Sequence, residues 1–383
     1  MENPTVQDIF HSFYLKYLDR YTPSAEQAKV SHCIMNCKTG AYGANVSVCE
    51  DCGHLQIHYN SCRNRCCPMC QALPTEKWMD AQREDVLEAP YFHVVFTVPQ
   101  ELNPLIYCNQ KLLYDALYHS VSSSINELAE DEKYLGAKVG YICILHTWGS
   151  EMNFHPHIHV ILLGGGLTAK NQWRDKGEEF FFPVKVLSKL FRGKYLDELK
   201  TLWKNKKLHF HGSSEKYRNH YAFKELINIC YEKDWIPHCK KAFNGAQSVI
   251  DYLGKYIHRI AISNRRIIRM DENTVTYYVK DYREAGKWKA LTIPGVEFIR
   301  RFLMHVPPKR FVRIRHYGLL CTRSKTKHLT LCRNLLGCRQ YLSRLKNMET
   351  AQILETLYGI KVSVCKCCGG HLGKPQQRIP LRI

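Results

Sequence analysis

The segment that decides the fold is residues 138–163, which read KVGYICILHTWGSEMNFHPHIHVILL. Two apolar runs, near 138–147 and 154–163, flank the polar segment WGSEMN. Apolar runs rich in β-branched and aromatic residues on both sides of a turn segment are typical of a β-hairpin. We therefore predict two adjacent antiparallel strands, and we expect the three consecutive glycines at 164–166 to end the second strand.

The second predicted strand carries three histidines in alternation. His155, His157 and His159 share one face because successive side chains of a strand point to opposite sides. A chain with 19 histidines contains about one His-x-His pair by chance, so we interpret the pair His209–His211 as a surface feature. Three imidazoles on one buried face are costly without a partner, so the triple predicts contact with a metal ion or a phosphate.

The segments around the hairpin predict a mixture of helices and strands. Apolar spacing indicates a helical opening over residues 5–32, a charged helix near 75–88 and a long helix over 104–130. YFHVVFTVP, TVTYYVKDYR and KALTIP are predicted strands, and VEFIRRFLMHV is a predicted helix that the following prolines end. Residues 168–245 are polar and mixed, and we interpret them as an insertion or a helical subdomain.

The 18 cysteines are largely clustered, and two C-x2-C pairs stand 14 residues apart. This spacing is close to that of a zinc ribbon, in which each pair gives two thiolates to one tetrahedral zinc ion. The predicted ligands of this structural zinc are Cys49, Cys52, Cys67 and Cys70. Candidates for a second site, or for exchange of ligands, are Cys37, Cys62, Cys66, His54 and His58. A last pair, Cys365 and Cys368, either completes a site with distant residues such as Cys332 and Cys338 or stands alone.

The charge of the chain is strongly positive and unevenly distributed. Lys and Arg number 55 against 35 Asp and Glu. Residues 251–383 carry 27 basic and 8 acidic side chains, whereas residues 1–250 carry 28 and 27. This asymmetry predicts a polyanionic partner, above all nucleic acid. No apolar run approaches the roughly 18 residues of a membrane span, and MENPTVQDIF lacks a secretory pattern, so we expect a cytoplasmic protein.

Residues 246–262, AQSVIDYLGKYIHRIAI, predict a helix on which Tyr252 and Tyr256 share one face. Such a spacing alone is typical of core packing. This pair differs because polar and basic residues surround it, namely Gln247, Lys255, Arg259, Arg265 and Arg266. A phenol near phosphate-binding cations is a plausible nucleophile, although its ordinary pKa of about 10 means that it requires activation.

The cysteine pairs, the histidine strand and the tyrosine helix together resemble one family, the IS91-type rolling-circle insertion-sequence transposases. These are two-tyrosine HUH endonucleases, named for two histidines around a hydrophobic residue. The matching stretches lie between about residues 33 and 320 and follow the order of the family: YNSCRNRCCPMCQ, HVVFTVP, LHTWGSEMNFHPHIHVILLGGGL, YLGKYIHRIAISNRR and EFIRRFLMHVPPKRFVRIRHYGLL. This chain departs from the family at Cys66, where a histidine commonly precedes the second knuckle.

The resemblance implies an α+β fold with a ferredoxin-like (RRM-like) HUH nuclease core, an N-terminal zinc-binding module and a basic C-terminal domain. The implied organisation is a helical opening (1–32), a zinc-binding module (33–75), the first part of the nuclease core (76–167), an insertion or helical subdomain (168–245), a catalytic tyrosine helix (246–265) and a basic DNA-binding region (266–383).

The resemblance also implies the chemistry of the site. His157 and His159 would bind catalytic Mg²⁺ or Mn²⁺, with Gln247 as our candidate third ligand. Tyr252 or Tyr256 would attack single-stranded DNA at a transposon end and leave a 5′-phosphotyrosine. The implied DNA-binding residues are Lys255, Arg259, Arg265, Arg266, Arg300, Arg301, Arg313 and Arg315.

The function implied is a bacterial transposase that nicks and rejoins single-stranded DNA at insertion-sequence ends, associated with the nucleoid during action. One alternative is a rolling-circle replication initiator or relaxase with the same nicking chemistry. The other is a catalytically inactive DNA-binding protein that keeps the zinc module. The presence of both HUH histidines and both tyrosines argues against the inactive alternative, and the absence of a phosphate-binding loop argues against a large relaxase.

Overall fold

The computed structural model describes residues 3–177, 182–242, 254, 261–281, 284 and 286–378. Five residues of the predicted site therefore lie outside the described residues: Gln247, Tyr252, Lys255, Tyr256 and Arg259.

The described part of the chain is a mixed α+β fold with antiparallel sheets, as predicted. Its helices are α1 (Val6–Leu18), α2 (Ala25–Met35), α3 (Ala72–Arg83), α4 (Asn103–Cys108), α5 (Gln110–Glu130), α6 (Val184–Lys204), α7 (His220–Glu232), α8 (Gly295–Met304), α9 (Lys325–Leu336) and α10 (Thr350–Tyr358). Its strands are β1 (Ala44–Val48), β2 (Leu55–Tyr59), β3 (Tyr91–Thr97), β4 (Lys138–Trp148), β5 (Phe154–Leu167), β6 (Trp173–Asp175), β7 (His238–Ala242), β8 (Ile267–Met270), β9 (Thr274–Asp281), β10 (Lys287–Pro294), β11 (Ile314–Gly318) and β12 (Gln376–Arg378). None of these helices combines the length and apolar character that crossing a membrane requires.

The predicted hairpin forms the centre of the main sheet. β4 and β5 pair antiparallel, and the strand order across the sheet is β11-β4-β5-β3-β7, with β6 added at one end of β5. Within this register His146 of β4 lies opposite His157 of β5, and Val95 of β3 lies opposite His159. The histidine strand is therefore central, with a paired strand on each side.

The glycines at 164–166 do not end β5, so this prediction is wrong. The strand continues to Leu167, where its last three residues pair with β6. A Cβ atom on Gly166 would overlap the carbonyl oxygen of Lys138 on β4. Glycine is therefore needed there for the close approach of two strands, and a strand with this role cannot be distinguished from a turn by composition alone.

The two faces of the main sheet are packed differently. Ile158, Val160 and Leu162 point into the largest hydrophobic core, which α5, α6 and α7 cover. Within the segment 168–245, α6 supplies part of this core. The opposite face carries the histidines, and α3 and α9 pack over its apolar end around Ile161.

A second core joins the N-terminal helices to residues 261–306. The predicted opening helix divides at Pro23 into α1 and α2, and Ser24 caps α2 by accepting from the backbone N–H of Gln27. Both helices pack against α8 and the three-stranded sheet β10-β9-β8, with Phe10 edge-on to Phe302. A third sheet, β12-β1-β2, pairs the C-terminal strand with the N-terminal hairpin.

Candidate metal centres

Three histidines from the central hairpin form a buried cluster. His146, His157 and His159 each place a ring nitrogen within 4.8 Å of the others. The Nε2 atoms of His157 and His159 lie 3.0 Å apart. Two nitrogens bound at right angles to one ion, each at about 2.1 Å, lie about 3.0 Å apart. The spacing therefore fits two neighbouring ligands of a shared metal ion.

Hydrogen bonds at the far side of each ring orient His157 and His159. His157 donates from Nδ1 to the carbonyl oxygen of His155 at 2.7 Å, which leaves the Nε2 lone pair available. His159 Nδ1 lies 2.9 Å from Nε2 of His93 on β3, and the two rings are stacked. Coordination through Nε2 of His159 requires the proton on Nδ1, which then donates to His93.

Burial keeps these imidazoles neutral. It lowers the pKa of His157 to about 3, with a further lowering from the neighbouring His155. Burial also holds the pKa of His159 well below its ordinary value, with His146 next in effect. A neutral imidazole is the form that binds metal, so the cluster is ready for a cation at neutral pH.

Two of the three histidines in this cluster, His157 and His159, were predicted as metal ligands from the sequence, whereas His146 was not. The predicted third ligand, Gln247, lies outside the described residues, whereas His146 faces His157 across the hairpin. His155 is not in the cluster and supports it through its carbonyl group. In the sequence, His146 stands out only as a polar residue in an otherwise apolar strand. The register of that strand is needed to show on which face of the sheet its side chain lies.

Of the predicted tyrosine helix, residues 246–262, the structure describes Gly254, Ala261 and Ile262, and Gly254 stands between the two tyrosines in sequence. Gly254 is helical, and a Cβ atom on it would overlap the sulfur of Met79 in α3. Met79 packs against the apolar cluster that contains Ile161, on the histidine-bearing face of the sheet. The chain at Gly254 is therefore in contact with the helix that covers this face.

Four cysteines near the start of α3 form a second cluster. Their Sγ atoms lie within 4.8 Å of one another, and Cys62 and Cys70 are 3.8 Å apart. Ligands of a tetrahedral zinc tetrathiolate lie about 3.8 Å apart when each bond is about 2.3 Å. The members of this cluster are Cys37, Cys62, Cys67 and Cys70.

Four other cysteines form a third cluster, which joins the two ends of the chain. Cys49 and Cys368 have their sulfurs 3.5 Å apart, and those of Cys52 and Cys365 are 3.8 Å apart. All four sulfurs lie within 4.8 Å of one another. The suggested pairing of the last two with Cys332 and Cys338 is wrong, because those residues pack in the core beside the main sheet.

The structure corrects the predicted zinc site. The four cysteines Cys49, Cys52, Cys67 and Cys70 do not share one site but are divided two and two between these clusters. The sequence spacing of a zinc ribbon was misleading because each pair finds its partners elsewhere. Cys67 and Cys70 lie beside Cys62 and Cys37, which follows α2. Cys49 and Cys52 lie beside Cys365 and Cys368, in the C-terminal segment that pairs with β1.

Most of the described arginines predicted to bind DNA are already engaged within the protein. Arg300 and Arg301 both pair with Glu297, and Arg315 pairs with Asp115 and lies over the ring of Tyr118. The guanidinium of Arg266 donates to the carbonyl oxygens of Tyr278 and Ser150. Arg313 is half-buried, and its backbone carbonyl accepts from the N–H of Leu145. Arg265 is exposed. These contacts give Arg300, Arg301 and Arg315 an intramolecular role that the sequence did not indicate.

Two family models match this chain. One, described as "Putative transposase", matches residues 140–328, which include the histidine strand. The other, described as "Transposase zinc-binding domain" of the IS91 type, matches residues 9–98, which include all four cysteines of the cluster near α3.

Two relatives extend the match to most of the chain. A protein of Sinorhizobium fredii named "Putative transposase y4qJ" is 39% identical over 87% of this chain and 84% of its own length. The transposase for insertion sequence element IS801 of Pseudomonas savastanoi pv. phaseolicola is 28% identical over 76% of this chain and 69% of its own length. The chain therefore belongs to the IS91-type transposases.

Solved structures of the conjugative relaxase TrwC with oriT DNA also match. The copper-bound structure is 12% identical and covers 67% of this chain and 96% of its own, with a TM-score of 0.26. The metal-free structure is 14% identical, covers 43% of this chain and 71% of its own, and has a TM-score of 0.24. Superpositions this poor support no conclusion about this chain.

Proposed function

We propose that this transposase nicks and rejoins single-stranded DNA at the ends of its insertion sequence through a 5′-phosphotyrosine intermediate. The observation that carries the proposal is the buried cluster of His146, His157 and His159. The three imidazoles place ring nitrogens close together, burial lowers the pKa of His157 and His159, and perturbed groups of this kind concentrate at functional sites.

We further propose that the core is ferredoxin-like. In chain order it consists of β3, the helix α5, the hairpin β4–β5, the helices α6 and α7, and β7. The strand order β4-β5-β3-β7 with every neighbouring pair antiparallel is the order expected for a βαββαβ unit of this fold.

The histidine cluster is proposed to hold Mn²⁺ or Mg²⁺. Three imidazoles are softer ligands than the oxygen set that Mg²⁺ prefers, so of the two ions we expect Mn²⁺ to bind more tightly. When bound, the ion would polarise the scissile phosphate and stabilise the charge that develops on its oxygens. His93 and His155 keep the ring nitrogens of the ligands aimed inward.

Tyr252 or Tyr256 is proposed as the nucleophile. Its Oη forms a bond to phosphorus while the bond from phosphorus to the 3′-oxygen breaks. The phenolic proton is lost and the 3′-oxygen gains one, so the products are a 5′-phosphotyrosine and a free 3′-hydroxyl. The contact between Gly254 and Met79 supports this assignment, because it brings the chain between the two tyrosines to α3 on the histidine-bearing side. The second tyrosine would hold the target strand.

DNA binding is proposed to use the exposed cations of the last third of the chain. Arg265 is exposed and lies two residues before β8 begins. In the sequence, Lys255 and Arg259 precede it within the predicted tyrosine helix. The cysteine cluster near α3 would hold a structural zinc ion that fixes the N-terminal module. A closed four-cysteine site leaves no position for substrate, so this zinc would not take part in catalysis.

The test is covalent capture of DNA. Full-length protein is incubated with labelled single-stranded DNA that carries the insertion-sequence ends, and adducts are resolved on denaturing gels. We expect an adduct with Mn²⁺ that is lost in the double variant Tyr252→Phe/Tyr256→Phe and reduced at least about 100-fold in His157→Ala.

His209→Ala is the matched control, because His209 belongs to a His-x-His pair with an exposed side chain outside the cluster. Its adduct should equal that of the unmodified protein. An adduct that persists in the double tyrosine variant would refute the nucleophile assignment, and one that persists in His157→Ala would refute the role of the cluster.

A further inference from the structure

The C-terminal half of the cysteine cluster that joins the chain ends lies outside the segments that the family models cover, whereas Cys49 and Cys52 lie within the zinc-binding model. The two halves of this cluster are 313 residues or more apart in sequence. The zinc-binding model ends at residue 98 and the transposase model at 328, so neither reaches Cys365 or Cys368. Nothing about the nicking reaction requires these residues to meet.

The two halves of this cluster have the same backbone geometry. In the first, the N–H of Cys49 donates to the carbonyl of His54, and the N–H of Gly53 donates to the carbonyl of Cys49. In the second, the N–H of Cys365 donates to Gly370, and the N–H of Gly369 donates back to Cys365. Both glycines have positive φ, 68° and 77°. Each C-x2-C-G sequence is thus the tight turn that presents two thiolates to one ion.

Backbone N–H groups are also directed at the sulfurs of the second turn. The N–H of Cys367 lies 3.4 Å from the sulfur of Cys365, and the N–H of Gly370 lies 3.4 Å from that of Cys368. Donors placed in this way stabilise thiolates, which are the metal-binding form of cysteine. The sulfur separations of 3.5 and 3.8 Å are far longer than the roughly 2.05 Å of a disulfide.

We propose that Cys49, Cys52, Cys365 and Cys368 bind a second zinc ion that fastens the C-terminal segment to the N-terminal module. Binding replaces the protons of the thiols and closes a four-sulfur tetrahedral site, so the ion has a structural role.

The packing around this cluster explains why an ion is needed. The buried apolar cluster there contains only Cys49, Cys365 and Leu372 among the described residues. So small a core contributes little to stability, and three-stranded sheets of this size commonly depend on a metal. Other contacts between the two segments include the pairing of β12 with β1 and two backbone bonds beside the turn, between Glu50 and His371 and between Gly373 and Val48. His371 also contacts the side chains of Glu50 and Asp51, and its imidazole is exposed.

The test counts metal in the full-length protein. The variant Cys365→Ser/Cys368→Ser should contain one zinc ion per chain fewer than the unmodified protein. Cys367→Ser is the matched control, because Cys367 is exposed within the same turn but is not a member of the cluster. It should retain the full zinc content. Equal zinc content in the double variant and the control would overturn the proposal.

A second measurement needs no variant. The metal-free unmodified chain is titrated with Co²⁺, and the thiolate-to-cobalt charge-transfer band is followed, because this band reports cysteine sites and not the histidine cluster. We expect saturation at two equivalents, and saturation at one would overturn the proposal. Neither readout depends on DNA cleavage, so the proposed nicking activity and this site can fail separately.

Discussion

His93 contacts the histidine cluster without belonging to it. Its Nε2 lies 2.9 Å from Nδ1 of His159, so when a metal ion binds Nε2 of His159, the Nδ1–H of His159 donates a hydrogen bond to His93 and holds the ring in that orientation. Loss of such a partner typically lowers metal affinity by about 10–100-fold. We expect His93→Ala to reduce Mn²⁺ affinity by this factor, measured by the electron paramagnetic resonance of free Mn²⁺.

The control for this prediction is His119→Ala, which removes an exposed imidazole that pairs with Glu198 on the opposite side of the sheet. Its Mn²⁺ affinity should be unchanged. An affinity of His93→Ala equal to that of the control would show that the orientation of His159 does not depend on His93.

At the scale of single residues, the sequence predicts only the ligands that one strand carries. Strand alternation identifies His157 and His159 as neighbours. His146 and His93 lie on other strands, and their proximity depends on the registers of β4 and β3 with β5. A register cannot be read from one sequence, because shifting a strand by one residue exchanges its faces.

At the scale of elements, His305 connects the end of α8 to the β4–β5 hairpin. Its Nε2–H donates to the carbonyl of Met152, and its Nδ1 accepts from the hydroxyl of Thr147. Burial lowers the pKa of His305 to about 4, and Arg300 adds to the lowering while the bond to Met152 opposes it. The folded protein thus holds this ring neutral where an unfolded chain, with a histidine pKa of about 6.5, takes up a proton.

This difference makes the docking of α8 sensitive to acid. Since the unfolded state binds more protons between pH 6.5 and pH 4, stability falls as the pH falls through this window. Between pH 7 and pH 5 the loss from His305 is about 2 kcal/mol. The free energy of unfolding in urea is measured at pH 7 and pH 5 for the unmodified protein and for His305→Gln, which has the same other titrating groups. The unmodified protein should lose this additional stability between the two pH values, and the variant should not. Equal losses in the two proteins would contradict the prediction.

Element prediction succeeded where periodicity was unambiguous and failed where tertiary contacts decide. The hairpin, the strand YFHVVFTVP and helix α8 follow the sequence pattern. The glycines at 164–166 were expected to end the second strand, whereas the close approach of β4 and β6 keeps them within it. The grouping of cysteines failed for a similar reason, since a ligand 313 residues away leaves no local signal.

At the scale of the whole molecule, the basic last third also forms ion pairs within the protein. Several of its basic residues pair with acidic side chains of the first third. Lys325 pairs with Asp85 and Arg315 with Asp115. Net charge therefore predicts a polyanionic partner but overstates how many cations are available to it.

Asp80 of α3 forms a further link between the first and the last third of the chain, through hydrogen bonds to uncharged groups. This buried carboxylate accepts from the hydroxyls of Tyr341 and Ser343 at 2.7 and 2.5 Å and from the N–H of Leu345 at 2.8 Å. Burial by itself raises the pKa of Asp80, but these hydrogen bonds outweigh it and hold the pKa below the ordinary value. The segment around residue 343 is thereby fixed to the helix that also covers the histidine-bearing face.

We expect Asp80→Ala to lower the free energy of unfolding by roughly 2–4 kcal/mol, because it leaves three donors without their acceptor in a buried site. It should also open the chain near residue 343 to proteolysis, measured by limited digestion and mass spectrometry. Asp197→Ala is the control, since Asp197 forms an exposed pair with Lys200, and such pairs contribute at most about 1 kcal/mol. If both variants are equally stable and equally resistant near residue 343, the C-terminal segment is held by the cysteine cluster and by the packing of α9 without help from α3.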